Sequence, residues 1–389
     1  MSPRTVLVTG EGSAVVAAAT ALHSARTGRR TLLLAADDPH RAVDDLLDTR
    51  LTEQPTPYAD RLSVARIDEQ AALRSALDGF GARLAPALDL IGADPLDPEE
   101  LTPLPGTRQL ALLHALRTAD AETVVVAGPP PAELLATLAL PEQLDRYLDR
   151  LLPEQRQAAR ALRPLLAALA GVPMPADWLF EARAAASSAL AGARAVIEAP
   201  GTSVRLVVDA DTHGTGQLRR IRSALALYGR RLDSVVAHRV LPPAAADSAD
   251  PWLFGRAARQ RERLAELAAG FDGVPLLTAG WPEVALEEIA AQLYADGEPA
   301  PGEAPAPWVE DRLAADGLLV WHLALPGADR AGLELVRRGD ELVVGTGGHR
   351  RLLPLPAALR RCTVSGAGLH DGVLSVRFAP DPTLWPARG

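Results

Sequence analysis

The sequence predicts an α/β protein, a parallel β-sheet with helices on both faces, followed by a small antiparallel β-sandwich. Three observations carry that prediction. Short apolar runs alternate with long helical stretches over residues 1–297. The first apolar run passes through a Gly-containing turn into a helix. After a Pro/Ala-rich stretch at residues 298–307, the pattern becomes one of short strands at hairpin spacing.

Val6 to Val8 reads as a buried strand, Thr9 to Ser13 as a turn, and Val15 to Arg26 as a helix with Val15, Ala18, Leu22 and Ala25 on one face. Thr31 to Ala35 is a second strand, ending at Asp37, Asp38, Pro39 and His40. Leu62 to Ile67 and Thr123 to Ala127 are further strands. Residues 69–121 and 133–197 read as a helical subdomain, with breaks at Asp94–Pro98 and Gly171–Pro175. Val204 to Val208, Ser234 to Ala237 and Val274 to Thr278 complete the sheet, with helices reaching Tyr228, over 255–269, and from Val284 to Tyr294. Residues 298–307 form an extended, poorly structured linker. In the third region, 308–389, strands are expected at Leu318–Leu325, Leu333–Arg337, Glu341–Gly345, Arg350–Leu355 and Gly372–Phe378. The change of pattern across the linker predicts that the sandwich folds independently.

Composition narrows the function. The chain has 389 residues and a net charge of −9, which argues against a nucleic-acid or anionic-membrane partner, since both need a basic surface. All 40 basic residues are arginine, and no lysine occurs. One cysteine, Cys362, excludes an internal disulfide and a Cys₂ or Cys₄ metal site. Its neighbours Arg360 and Arg361 could lower its pKa; a structural or incidental thiol is the favoured reading. Ser2 to Arg4 run directly into a strand, with no signal-peptide pattern, and no charge-free run of about 18 apolar residues predicts a membrane span. The expected location is cytoplasmic.

A strand, a Gly loop, a helix and a second strand tipped with acids form a phosphate-binding unit. The flanking residues make it specific. Thr9-Gly10, then Val16 to His23, then Gly28 to Leu33 resemble the ArsA-type ATPases, the family of arsenite-pump and tail-anchored-protein targeting ATPases. The family loop reads T-G-K-G-G-V-G-K-T-T. Here Glu11, Gly12, Ser13, Ala14 and Val15 stand between the same anchors, a loop about three residues shorter and without either lysine. The resemblance extends to the C-terminus, where Arg337 to Val344 and Asp371 to Leu374 are similar to the alpha-crystallin-like domain of bacterial members. It implies a P-loop NTPase-like domain over 1–297, a linker at 298–307 and an alpha-crystallin-like sandwich over 308–389.

The resemblance also assigns site positions. Asp37, His40 and Asp44 fall on the family's switch I, with Asp37 at the residue that polarises the attacking water; a solvated turn and helix cap is the other reading. In switch II, Ala127 replaces the Mg²⁺-shell Asp and Ala132 the hinge Gly, and Pro129, Pro130 and Pro131 stiffen the segment. His238 stands where the family has an adenine-reading Asn, and cannot copy an amide's paired donor and acceptor. Gly10, Glu11, Gly12, Ser13, Ala127, Pro130 and His238 are therefore expected as a vestigial nucleotide site, with no catalytic residue, no metal and neither ATP nor Mg²⁺ as cofactor.

One cluster is independent of the family. Asp209, Asp211 and His213 share a face if their strand continues, and with Asp37 and Asp38 near across the sheet edge could ligate a metal; a polar strand-to-helix loop is the favoured reading. With only Met1 and Met174, a Met-rich client groove is excluded; a groove would be Leu/Ala-built, as from Leu162 to Leu169. The expected function is a non-catalytic protein-binding subunit or scaffold, a dimer, preferably with an intact ArsA-like relative. A divergent ATPase with weak ATP binding is the first alternative. A metal-binding enzyme using the 209–213 loop is the second.

Overall fold

The structure is a computed structural model that describes residues 3–36, 38, 40–74, 100, 102, 104–151, 177–211, 215–281 and 284–384. Strands β1 (Arg4–Gly10), β2 (Thr31–Ala35), β3 (Thr56–Ala59), β4 (Leu62–Arg66), β5 (Thr123–Ala127), β6 (Thr202–Asp209), β7 (Leu232–His238) and β8 (Leu276–Thr278) form one sheet, ordered β3-β4-β2-β5-β1-β6-β7-β8. All its pairings are parallel except β3 with β4, an antiparallel edge hairpin that the expected all-parallel sheet lacked.

Parallel strands covered on both faces read as continuous apolar runs, and the alternation of side chains sorts them. Val6, Val8, Leu33, Val64 and Val125 face one way and pack on helices α1 (Ser13–Arg26) and α2 (Ala42–Leu47) and on the later helix Leu286–Leu293. Leu7, Leu32, Leu34, Val124 and Val126 face the other way. They meet α3 (Thr107–Thr118), α4 (Pro131–Leu151), α5 (Asp177–Glu198) and α6 (Thr215–Leu227). Helix α7 (Pro251–Gly270) closes the β6–β7 end through Leu267, and α8 is the helix Leu286–Leu293 already named. Of the expected helical subdomain, both breaks and the stretch Leu162 to Leu169 lie outside the described residues.

Beneath α1 the sheet holds a buried ionic cluster. Arg205 of β6, fully buried, donates from Nε to Asp233 Oδ1 at 3.1 Å and from Nη2 to Oδ2 at 3.0 Å. Its Nη1 reaches Thr20 of α1 at 3.2 Å and the Tyr294 hydroxyl. Ser203 and Ser234 each donate to Asp233 at 2.7 Å. Burial by itself would lower the Arg205 pKa, but Asp233, Tyr294 and Glu298 outweigh it and the net direction is upward.

Glu298 opens the Pro/Ala stretch, which is extended but not loose. Arg4 grips it through Glu298 at 3.0 Å and the Pro299 carbonyl at 2.7 Å. Beyond it, β9 (Trp308–Arg312), β10 (Leu318–Ala324), β14 (Cys362–His370) and β15 (Val373–Pro380) form a four-stranded antiparallel sheet, ordered β14-β15-β10-β9. Strands β11 (Glu334–Arg338), β12 (Glu341–Thr346) and β13 (His349–Pro354) form a three-stranded one. The expected sandwich is present, with β9 and β14 additional. Two short helices, α9 (Leu313–Asp316) and α10 (Ala357–Arg360), complete it.

Its core of Trp321, Leu342, Val344, Leu374, Val376 and Phe378 includes Leu227 from α6. Ser223 of α6 bonds Thr346 at 2.9 Å in a buried contact, and the Tyr228 hydroxyl donates to the Arg350 carbonyl at 3.2 Å. The sandwich core is thus completed by a leucine from the first domain. Cys362 follows the structural of its two readings. Its thiol is buried in that core, and burial pushes its pKa up, outweighing Arg337 and Arg361.

Candidate nucleotide-loop site

The loops after β1, β2, β5, β6 and β7 leave the same end of the sheet, where doubly wound folds bind ligands. At the centre is the turn between β1 and α1. Gly10 has φ +111°, and a Cβ there would stand 2.0 Å from the Val207 carbonyl oxygen, so only glycine lets the chain leave β1 beside β6. Gly12 caps α1 with φ +83°, and no side chain caps the helix N-terminus. A Cβ on Gly12 would fall 2.5 Å from the His238 ring.

His238, at the end of β7 and only 3% exposed, thus has its ring against the loop's backbone at Gly12. The position expected to face a base is packed onto Gly12.

Gly10, Glu11 and Ser13 line a cavity of about 440 Å³ with Gly128, Pro130, Pro131, Asp209 and the α6 residues Gln217, Leu218 and Ile221. Among its described lining residues are two carboxylates, Glu11 and Asp209, and no basic group. The α6 wall had no motif to reveal it; only the sheet order brings α6 beside the first loop.

The switch II segment is tied down. Thr9 at the end of β1 donates its hydroxyl to the Pro129 carbonyl at 2.5 Å, and Gly128 N–H donates to Val8 at 2.8 Å. Pro131 is the first residue of α4, where a missing N–H costs nothing. Ala127, 2% exposed, packs in the apolar layer under α1. Pro130 is exposed at the cavity rim.

The described switch I residues, His40 and Asp44, and their neighbour Asp38 do not line this cavity. Strand β5 separates β2 from β1. Asp38 accepts the Ala42 and Val43 N–H groups and so caps α2, as the second reading of this turn anticipated. Arg66 of β4 binds Asp38 at 3.2 Å and also Asp44, whose other oxygen takes Arg41 at 3.1 Å. Asp44 is thereby a buried, paired carboxylate, and His40 is exposed on the turn. Asp37 lies outside the described residues. Nothing near Asp38 in sequence pointed to Arg66, which comes from a different strand.

The proposed metal loop is also corrected. Strand β6 ends at Asp209, so Asp209 and Asp211 do not share an extended face. Asp209 binds Arg239 at 3.1 Å, and Asp211 binds Arg256 and Gln260. Strands β1 and β5 stand between β6 and β2, which keeps Asp38 away. His213 lies outside the described residues, and among the described residues no group of three metal-ligating side chains occurs. The same arginines stack on aromatic rings: Arg256 lies over Trp252 at 5.4 Å and Trp281 at 5.8 Å, and Arg239 over Trp281 at 5.7 Å.

A Gly turn between a central parallel strand and its helix, with a sandwich appended, defines a P-loop NTPase-like protein of the ATPase class. Comparison gives the family: the model for anion-transporting ATPases matches residues 4–290, and that for an HSP20-like domain found in ArsA matches residues 316–378. The chain belongs to the ArsA-type anion-transporting ATPase family. It is similar to a Streptomyces coelicolor protein described as uncharacterized, 49% identical over 98% of this chain and 99% of the relative. A Mycobacterium tuberculosis protein is 29% identical over 97% of this chain and 95% of its own length. A Chlorobaculum tepidum protein named as an arsenical pump-driving ATPase is 25% identical over 95% of this chain and 93% of its own length. No helix among the described residues is long and apolar enough to cross a membrane.

Proposed function

We propose that the chain is an ArsA-type pseudo-ATPase, a cytoplasmic, non-catalytic subunit that works through protein contacts and uses neither ATP nor Mg²⁺. One observation carries the reading: the phosphate-loop turn presents Glu11 in a chain without lysine, and His238 closes the same turn from the base side. Charge-assisted contacts to phosphate contribute roughly 1.5–3 kcal/mol each, so losing them removes most of the affinity for a polyphosphate. Glu11 adds repulsion. Ala127 in place of a carboxylate removes a Mg²⁺ shell ligand, and the Thr9–Pro129 bond with three prolines opposes the movement a switch needs.

The partner that best fits the loop face is an intact ArsA-like relative. Two copies of this chain would set Glu11 against Glu11, and like charges across an interface cost stability. A partner offering lysine on its own loop reverses that sign. Asp38 and Asp44 pair with Arg66 within the chain. Co-expression with such a relative, then size exclusion with light scattering, should give a mixed dimer; separate elution at micromolar concentration, with and without ATP, contradicts it.

A second reading, a divergent ATPase with weak nucleotide binding, draws on the 440 Å³ cavity and the α1 N-terminus without a side-chain cap. The metal-enzyme reading loses support because arginines hold both acids of its loop.

A further inference from the structure

The seam between the α/β unit and the sandwich contains a buried cation that the fold does not neutralise. Arg230 lies in the turn after α6 and is 6% exposed. Its main-chain N–H is satisfied by the Leu225 carbonyl at 2.8 Å. Its guanidinium makes no hydrogen bond or ion pair with the described residues; its Nε is buried without an acceptor, while its Nη atoms reach the surface of the seam.

The charged groups facing it are Arg351 from the sandwich, Arg194 and Glu198 from α5, and Glu142 from α4. Both acids are already engaged. Glu142 is held by Arg351, at 3.2 Å from Nε and 3.1 Å from Nη2. Glu198 takes Arg194 at 2.9 Å, and its carbonyl takes the neighbouring Arg231 at 3.4 Å. Arg351 sits beside the turn, with Nη1 donating to the Leu227 carbonyl at 3.0 Å. Arg351 and Arg194 thus hold the two acids that face Arg230, which pairs with neither. Burial, then the Arg351 charge, push its pKa down to about 10, so it remains cationic at neutral pH.

A buried cation without a partner is costly, and proteins keep such groups paired. A guanidinium fork accepts a tetrahedral oxyanion better than a halide, because it can donate two parallel bonds. We propose that this seam is an oxyanion site, in which a free phosphate-class anion is held by Arg230, assisted by Arg351, and fastens the sandwich to the α/β unit. The site is separate from the nucleotide loop and does not depend on the pseudo-ATPase reading.

The test uses the full chain in phosphate-free buffer, titrated with inorganic phosphate at constant ionic strength and followed by calorimetry and melting temperature. Saturable binding with a rise in melting temperature is expected. Arg230→Met should weaken binding about tenfold or more and abolish the rise, yet melt no lower than the parent without phosphate, since it removes an uncompensated charge. Arg230→Lys, which keeps the charge but not the fork, should lie between. Phosphate should also slow hydrogen exchange in the β12–β13 hairpin of the unmodified chain. Absence of saturable binding, binding untouched by Arg230→Met, or hairpin exchange unchanged by phosphate would each overturn the proposal.

Discussion

Arg205 and Arg230 are both buried arginines, and their surroundings differ in every other respect. Under α1, Arg205 meets a bidentate carboxylate, two hydroxyls and a second acid, and its pKa rises. At the seam, Arg230 meets acids already committed to other arginines, and its pKa falls. The contrast separates a charge that the fold itself satisfies from one that it leaves for something else. The nucleotide loop falls on neither side: its cavity carries acids where the ATPase resemblance implies lysine, while its surrounding acids are drawn into local ion pairs.

The largest effect is expected where satisfaction is most complete. Asp233→Ala leaves Arg205 buried and unpaired and should cost about 3–5 kcal/mol in urea unfolding. Arg205→Met should cost less, because the Asp233 carboxylate it leaves keeps two serine donors and Arg4 at 3.7 Å. A loss under about 1 kcal/mol for Asp233→Ala would mean that the cluster is as weak as a surface pair.

At the seam, Leu227→Ala should cost about 2–5 kcal/mol, the range for a buried leucine whose cavity only partly collapses. The sandwich beyond Pro307, prepared alone, should melt cooperatively but at a lower temperature than within the full chain, because it lacks Leu227. An equal midpoint would mean that Leu227 adds nothing to the stability of the sandwich.

At the loop, Gly12→Ala forces a Cβ against the His238 ring at positive φ and should cost about 1 kcal/mol or more. His238→Ala should recover part of that cost in a double-mutant cycle, by relieving the clash and leaving the backbone strain. Strict additivity of the two changes would place the ring elsewhere.

The smallest effect is on pH dependence. Burial lowers the pKa of His23, with Arg205 adding to the effect and Glu298 opposing it, and burial lowers that of His349. A depressed value means that the unfolded chain binds more protons. The stability that each neutral ring contributes is full above about pH 6.5 and is lost as pH falls through the folded value. Acidification from neutrality should therefore lower the melting temperature slightly, with a shallower slope for His23→Gln with His349→Gln.

The sequence was most legible where the chain is apolar on both faces. β2 and β5 begin and end where their apolar runs do, at Thr31–Ala35 and Thr123–Ala127. β9, wholly exposed and carrying Glu310, Asp311 and Arg312, offers no hydrophobic alternation, and Gly366 and Gly368 dilute that of β14. Arg205 did leave a signal, a lone charge within the run Val204 to Val208, which a buried strand tolerates only with a partner. Asp233 opens the neighbouring strand, but only the sheet order joins them. The loop residues were legible as a group; that Asp44 turns toward Arg66, and that His238 covers Gly12, required the third dimension.

The central claim, that this ArsA-type chain has given up nucleotide chemistry, is tested most directly by calorimetric titration of the full chain with ATP and Mg²⁺. The account predicts no measurable heat of binding. A dissociation constant below about 100 μM, roughly −5.5 kcal/mol, would contradict it and return the chain to the working ATPases.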